Sequence, residues 1–290
     1  MIKSGFVSIA GRPNAGKSTL LNTILGEKRA IVTPKPQTTN KNIQGVYNDL
    51  RGQIVFIDTP GIHKPKTAYG EYLNKQAYNS IRGSEVTLLV VDASVDYGPG
   101  DEYLYSKLKL DHALIIVLTK IDLASPSHVK AVKDKWTENY PNTPLIEVSS
   151  VRNFNIAELV TLIFDYLEPG PLYFPRPEDY AIKLEQYINE IVREKIIMLT
   201  REEIPYSVAV VVDYLDESDT KIEAYLTVYC EKESQKGILI GKNAKMIKRI
   251  RLQAQYELTQ FLKKDVLLEL MVKVEPLWRS DSKILKKLLG

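Results

Sequence analysis

Eight residues near the start of the chain, Gly11-Arg12-Pro13-Asn14-Ala15-Gly16-Lys17-Ser18, constrain its fold more than any others. They stand between an apolar, strand-like run from Gly5 to Ala10 and a helix-like run from Lys17 to Leu25. A turn of this kind bends its backbone N–H groups around an anion and adds an ammonium as a point charge. It also leaves a hydroxyl, here that of Ser18, to ligate Mg2+. The pattern points to the β- and γ-phosphates of a nucleotide, with Thr19 carrying the loop into the helix. The other reading is a plain glycine-rich β-to-α turn, and the downstream segments of the chain weigh against it.

From Phe6 to Leu167 apolar strand-like runs alternate with helical ones. The runs are Phe6 to Ala10, Gln53 to Asp58, Val86 to Asp92, Ala113 to Thr119 and Leu145 to Val148. Such alternation builds a mostly parallel sheet with helices on both faces, and ligands then collect at the carboxyl ends of the strands. Residues 168–177 hold four prolines and one glycine, which suits neither a helix nor a central strand. We therefore expect a first domain over 1–168, a linker over 169–177 and a second domain over 178–290. At 290 residues the chain is long enough for two cores. The second half changes order: a helix (about 178–200), two β-branched runs (206–214 and 221–229), a helical stretch interrupted near Gly237 to Gly241, a helix (244–263), a strand (266–274) and a short tail helix. That is a smaller α+β layout.

Apolar residues make up 44% and charged residues 26% of the chain, and its apolar runs are too short to span a bilayer, so the expectation is a cytosolic protein. The single cysteine, Cys230, lies in a strand-like run and reads as a buried small hydrophobe. Net charge is only +3, but its distribution is uneven. Between Ser234 and Tyr256 there are six basic residues and no acidic one, and the tail adds Arg279, Lys283, Lys286 and Lys287 against Asp281. A solvated helix face mixes signs, so this exclusion points to an anionic partner.

Further segments complete a nucleotide site. Asp58-Thr59-Pro60-Gly61 ends a strand, where a carboxylate can hold Mg2+ and a glycine N–H can meet the γ-phosphate. Thr119-Lys120-Ile121-Asp122 ends another. The Asp122 carboxylate can accept from both N1–H and N2–H2 of guanine, donors that adenine lacks as a pair, and the stem of Lys120 can cover the base. GTP is thus favoured over ATP. Ser149-Ser150, after the next strand, can offer backbone N–H to guanine O6. Gln37-Thr38-Thr39-Asn40-Lys41 is polar and without apolar period, as a switch segment must be, and Thr39 or Thr38 would ligate Mg2+ when the γ-phosphate is present. Ile62 follows Gly61 and cannot orient water as a glutamine would, which implies slow intrinsic hydrolysis. His63 beside it is either a base or an exposed switch residue. In the second half, Ile240-Gly241-Lys242-Asn243-Ala244-Lys245 is a glycine turn before a basic helix that carries Lys248, Arg249 and Arg251. Ala244 would be acceptable there with the helical dihedrals of a first helical residue.

These segments, in this order, resemble the translation-factor-related GTPases, and the loop with Asn14 resembles the subgroup of Era, Der and the tRNA-modification GTPases. The glycine turn in an α-β-β-α-α-β layout resembles a KH domain, whose Gly-x-x-Gly loop clamps single-stranded RNA. A GTPase domain followed by a KH domain is the architecture of the Era family, and the resemblance covers essentially the whole chain. Ile191 to Lys195, Leu199 to Glu203 and Leu268 to Val274 are also similar to Era segments. A second phosphate loop, as in Der, and the C-terminal cysteine motif of the tRNA-modification enzymes are missing. The sequence departs from the family pattern at Thr119 (usually Asn), Ser150 (usually Ala) and Ala244 (usually Gly); the first implies weaker nucleotide binding.

The resemblance implies a monomeric GTP-hydrolysing switch that binds GTP and GDP, uses Mg2+, binds the 3′ end of 16S ribosomal RNA and assists assembly of the 30S subunit. It also implies a peripheral fraction on the inner face of the membrane. Catalysis falls to Lys17, Thr39, Gly61 and Asn14, the last by helping to hold a K+ ion, and Mg2+ to Ser18, Thr39 and Asp58. Two other classes stay open: a nucleotide-gated RNA-binding protein with negligible turnover, and a membrane-associated signalling GTPase.

Overall fold

β1 (Lys3–Gly11) is buried along almost its whole length, which requires helices on both sides of it. The computed structural model describes residues 2–28, 43–62, 64–65, 67–108, 111–174, 184–200, 204 and 207–289. Thr38, Thr39 and the rest of the expected switch segment, and His63, lie outside the described residues. The chain divides into two units, Met1–Pro65 with Gly70–Tyr180, and Lys66–Tyr69 with Ala181–Gly290.

In the first unit β1 is followed by α1 (Lys17–Leu25), β2 (Ile43–Asp49), β3 (Gly52–Asp58), α2 (Ala68–Arg82), β4 (Val86–Asp92) and α3 (Pro99–Lys107). Then come β5 (Ala113–Thr119), α4 (Pro126–Asn139), β6 (Leu145–Glu147) and α5 (Ile156–Tyr166). The sheet order is β2-β3-β1-β4-β5-β6, all parallel except β2, which runs antiparallel to β3 at the edge. Strand alternation sorts the core into two layers. Val7, Ile9, Leu88, Val90, Ile115 and Val117 meet α1 and α5, while Ala10, Leu89, Val91, Ile116 and Leu118 meet α2, α3 and α4. β2 escapes the sequence reading because an edge strand needs few apolar residues; it is held by its ladder, with Val46 opposite Val55 and Tyr47 opposite Ile54.

The first part of the proline-rich stretch is fastened to this unit. The Gly170 N–H donates to the Ile2 carbonyl at 3.1 Å and the Ser4 N–H to that of Glu168 at 3.4 Å. The buried Gln53 amide accepts from the N–H groups of Tyr173 (2.9 Å) and Phe174 (3.0 Å) and donates to the Phe174 carbonyl (2.7 Å).

The second unit contains α6 (Leu184–Leu199), β7 (Ala209–Glu217), β8 (Lys221–Cys230), α7 (Glu233–Ile240), α8 (Lys245–Leu262), β9 (Asp265–Val274) and α9 (Ser282–Leu289). Its three-stranded sheet has β8 in the centre, antiparallel to β7 and parallel to β9. β7 runs past Tyr214 to Glu217 because a register shift between Val212 and Tyr214 lets pairing continue. The even-numbered residues of β8, from Ile222 to Cys230, are buried with Leu268 and Val272 of β9 under Leu239, Ile250, Ala254 and Leu258 of α7 and α8.

Gly237 lies inside regular α7, and the break comes after it. Gly241 has φ 71° and ψ 170°, a region open essentially to glycine alone, and a Cβ there would stand 2.7 Å from Cβ of Met246. Asn243 (φ 54°) and Ala244 (φ 56°, ψ 21°) are both left-handed. Ala244 is therefore the cap before α8, not its first helical residue, and the expected helical dihedrals are not found. Alanine in this region costs about 1–2 kcal/mol. Ala244→Gly should raise the stability of the second unit by about 1 kcal/mol in calorimetric unfolding; an unchanged or lower melting temperature would contradict the strain.

Candidate nucleotide-binding site and nucleic-acid interface

The sheet order brings the expected segments together at the carboxyl ends of β1, β3, β5 and β6, all within the first unit. The loop from Gly11 to Ser18 turns between β1 and α1, with Asn14 left-handed at φ 64° and Gly16 at φ 95°. Lys17 is buried and donates to the carbonyls of Arg12 (2.9 Å) and Gly11 (3.3 Å). Burial lowers its pKa to about 8, against the attraction of Asp58, which raises it. The Ser18 hydroxyl donates to the Asp58 carboxylate at 2.6 Å, so the two expected Mg2+ ligands adjoin. Thr19, half-buried on the first turn of α1, accepts at its carbonyl from the Thr23 hydroxyl.

The segment after β3 closes against this loop. Thr59 donates through its hydroxyl to the Ile9 carbonyl at 2.8 Å, and the Ile62 N–H donates to the Gly11 carbonyl at 3.1 Å. Thr59, Pro60 and Gly61 are buried. A Cβ on Gly61 would lie 2.8 Å from the Pro13 nitrogen, so only glycine permits this approach. Ile62 is 1% exposed and belongs to the core with Ala77, Leu89 and Leu104. It acts as an anchor for the segment and offers nothing to a water.

At the end of β5 the Thr119 hydroxyl lies 2.6 Å from the Ala15 carbonyl and 2.9 Å from that of Val91. Its one hydrogen can serve one of them at a time: given to Ala15 it ties the phosphate loop to β5, and given to Val91 it ties β5 to β4. Lys120 is left-handed (φ 57°) and sends its ammonium to Asp92 at 2.6 Å, with its stem over Gly16. Burial opposes ionisation of Asp92, but the hydrogen bonds from Lys120 and Ser94 outweigh it and hold the carboxyl below its ordinary pKa. Asp122 accepts from the Ser149 hydroxyl at 2.6 Å. The Ser149 N–H is donated to the Phe154 carbonyl at 3.2 Å, so of the two serine amides expected at guanine O6 it is that of Ser150 that can serve.

Sequence reasoning missed two partners. Asp92 anchors Lys120, and the signal was a carboxylate at the end of a strand. Asp101 receives Arg12 at 3.4 Å and also accepts from the Gly98 N–H at the start of α3; nothing in its local sequence marks it. Among the described residues no group of three or more His, Cys, Asp or Glu side chains could hold a metal. The Ser18–Asp58 pair of hard oxygens suits Mg2+ that brings phosphate and water as its other ligands.

In the second unit the turn after α7 sets Lys242, Asn243, Ala244, Lys245, Lys248 and Arg249 on exposed surface, with Ile240 and Gly241 half-buried beside them. Arg251 stands apart from this set. It turns toward β9 and donates to the Leu268 carbonyl at 3.4 Å and to Gln255 at 3.3 Å.

The lowered pKa of Lys17 has a measurable result. A bound phosphate raises that pKa again, so above about pH 8 binding must take up a proton. GDP affinity should be flat below about pH 8, where the lysine is already charged, and fall toward tenfold per unit above it. Fluorescence titration between about pH 7 and 9 measures this, and a flat profile to about pH 9 would refute it.

The family model described as a 50S ribosome-binding GTPase matches residues 6–120, and that of the KH domain matches residues 203–279. The GTPase Era of Halothermothrix orenii is 40% identical over 99% of this chain and 98% of its own length. A crystal structure of a variant Aquifex aeolicus Era bound to GDP and AlF4− superposes with a TM-score of 0.94 at 36% identity, over 99% of both chains. An Era structure in complex with MgGDPNP and nucleotides 1506–1542 of 16S ribosomal RNA gives 0.93 at 36% identity, again over 99% of both chains. With a phosphate loop, a γ-phosphate segment and a guanine segment at the carboxyl ends of one sheet and a KH domain following in the sequence, this chain belongs to the Era family of GTPases and hydrolyses GTP.

Proposed function

We propose that this GTPase is a switch whose second unit holds the 3′ end of 16S ribosomal RNA and thereby assists assembly of the 30S subunit. The observation that carries the reading is the turn at Gly241. A backbone free of any side chain there leads through the exposed Lys242 into a helix whose exposed start presents Lys245, Lys248 and Arg249. A phosphate can approach such a backbone closely, and the cations meet the neighbouring phosphates. That a relative's structure contains a fragment of that RNA supports the same reading. Arg251, engaged with Leu268, would join only on leaving that carbonyl. The reading carries with it a monomer in the cytoplasm with a peripheral membrane fraction, both resting on the family resemblance. Among the described residues no helix is long and apolar enough to cross a membrane.

In the first unit the loop from Gly11 to Thr19 and the Gly61 N–H would hold the phosphates, with Thr59, Pro60 and Ile62 fixing the segment that carries Gly61. Thr119, Lys120, Asp122 and Ser150, with Ser149 orienting Asp122, would hold guanine. Lys17 and the Gly61 N–H would meet charge that develops on the γ-phosphate. Ser18 and Asp58 would hold Mg2+, with Thr39 as the switch ligand; the ion, when bound, neutralises charge between the β- and γ-phosphates. With the side chain at position 62 in the core, further positive charge has to come from elsewhere. Asn14 in its left-handed position offers an amide oxygen to K+ beside the phosphates.

Hydrolysis should be faster in K+ than in Na+ at matched ionic strength, on the order of tenfold, or about 1.4 kcal/mol of barrier. Asn14→Ala should remove the difference, and equal rates in the two salts would return Asn14 to loop shaping. Gly241→Asp should weaken binding of a 3′-terminal 16S RNA oligonucleotide by at least about tenfold in fluorescence anisotropy. GDP binding, sited in the other unit, serves as the control. Wild-type RNA affinity in this variant would mean that the turn is not the clamp.

A further inference from the structure

We propose that the open face of the β7–β8–β9 sheet is a docking surface for a basic protein segment that carries apolar side chains. α7 and α8 cover the face to which the even-numbered residues of β8 point. The odd-numbered residues point the other way, and the pairing registers put their neighbours beside them. Tyr214 lies opposite Tyr225 and Tyr225 opposite Glu269; Met271 lies opposite Thr227 and Leu267 opposite Glu223. Tyr214 and Tyr225 are 51% and 41% exposed, with ring centroids 5.4 Å apart, and Met271 is 57% exposed. An exposed apolar platform of this kind on one sheet face marks an interaction site.

Its charge decides the class of occupant. Aromatic rings on a sheet can stack nucleobases, but phosphates would then have to pass over carboxylates. Asp213, Asp216 and Glu269 are exposed on or beside the platform, and Asp213 is held there by the Thr227 hydroxyl at 2.6 Å. Lys221 is engaged by Glu223, and Lys273 stands one row further on, opposite Tyr229. The face therefore repels nucleic acid and complements lysine and arginine, while the tyrosines, Met271 and Leu267 bury apolar side chains between those cations.

The test uses the full chain and fluorescent peptides. One repeats lysine, leucine, arginine and tyrosine; a second replaces the cations with glutamate and aspartate; a third keeps the cations but has glycine and serine in place of the apolar residues. Only the first should bind. The double variant Tyr225→Ser, Met271→Ser and the single variant Glu269→Lys should each weaken it at least tenfold; Glu269→Lys leaves the apolar platform intact if the double variant melts early. Equal binding of the third peptide, or undiminished binding by both variants, would overturn the proposal. So would an oligouridylate that binds the wild type and is lost in both variants, since the sheet would then be a nucleic-acid platform.

Discussion

A buried ammonium must find acceptors, and the first unit is arranged around the ones that Lys17 finds. Its donors go to the carbonyls of Gly11 and Arg12, and its charge is attracted by Asp58. The same loop is pinned from two further sides, by the Ile62 N–H on Gly11 and by the Thr119 hydroxyl on Ala15. Each pin acts on a backbone carbonyl, so the turn of the loop is fixed without side chains that would fill the anion's place. Little ordering is then left for the moment of binding, which is where pre-organisation gains affinity.

The nucleotide site was legible in the sequence because its chemistry needs particular side chains at strand ends. Lys17, Ser18, Asp58 and Asp122 each follow an apolar run and reappear at the carboxyl ends of one sheet. What stayed hidden depends on distance along the chain or on backbone conformation. Asp101 lies far from Arg12 in sequence yet receives it, and β2 is defined by its ladder with β3. The left-handed turn at Ala244 contradicts what alanine prefers, so no propensity could announce it. The same holds for Ile62 and Arg251, whose residue types were plain while their directions were set by packing and by a carbonyl on β9.

Thr119 shows how a departure from a family pattern can be absorbed. An asparagine would reach with an amide; the hydroxyl instead sits between two carbonyls and has one hydrogen for both. The tie between phosphate loop and base-binding segment survives with fewer donors. In the second unit the small net charge of the chain conceals a separation of signs. The start of α8 is cationic, and the uncovered sheet face carries carboxylates among tyrosines.

The fastening of residues 168–174 bears on how the two halves can be separated for study. Gln53 is buried, and its amide is satisfied in part by the backbone of Tyr173 and Phe174. A fragment cut where the prolines begin would strip those partners from a buried polar group, a loss that ordinarily costs about 1–3 kcal/mol. It would also uncover Phe6, whose ring lies 4.6 Å from that of Tyr173. The natural end of a free-standing GTPase domain is therefore past Phe174, inside what composition alone marks as linker.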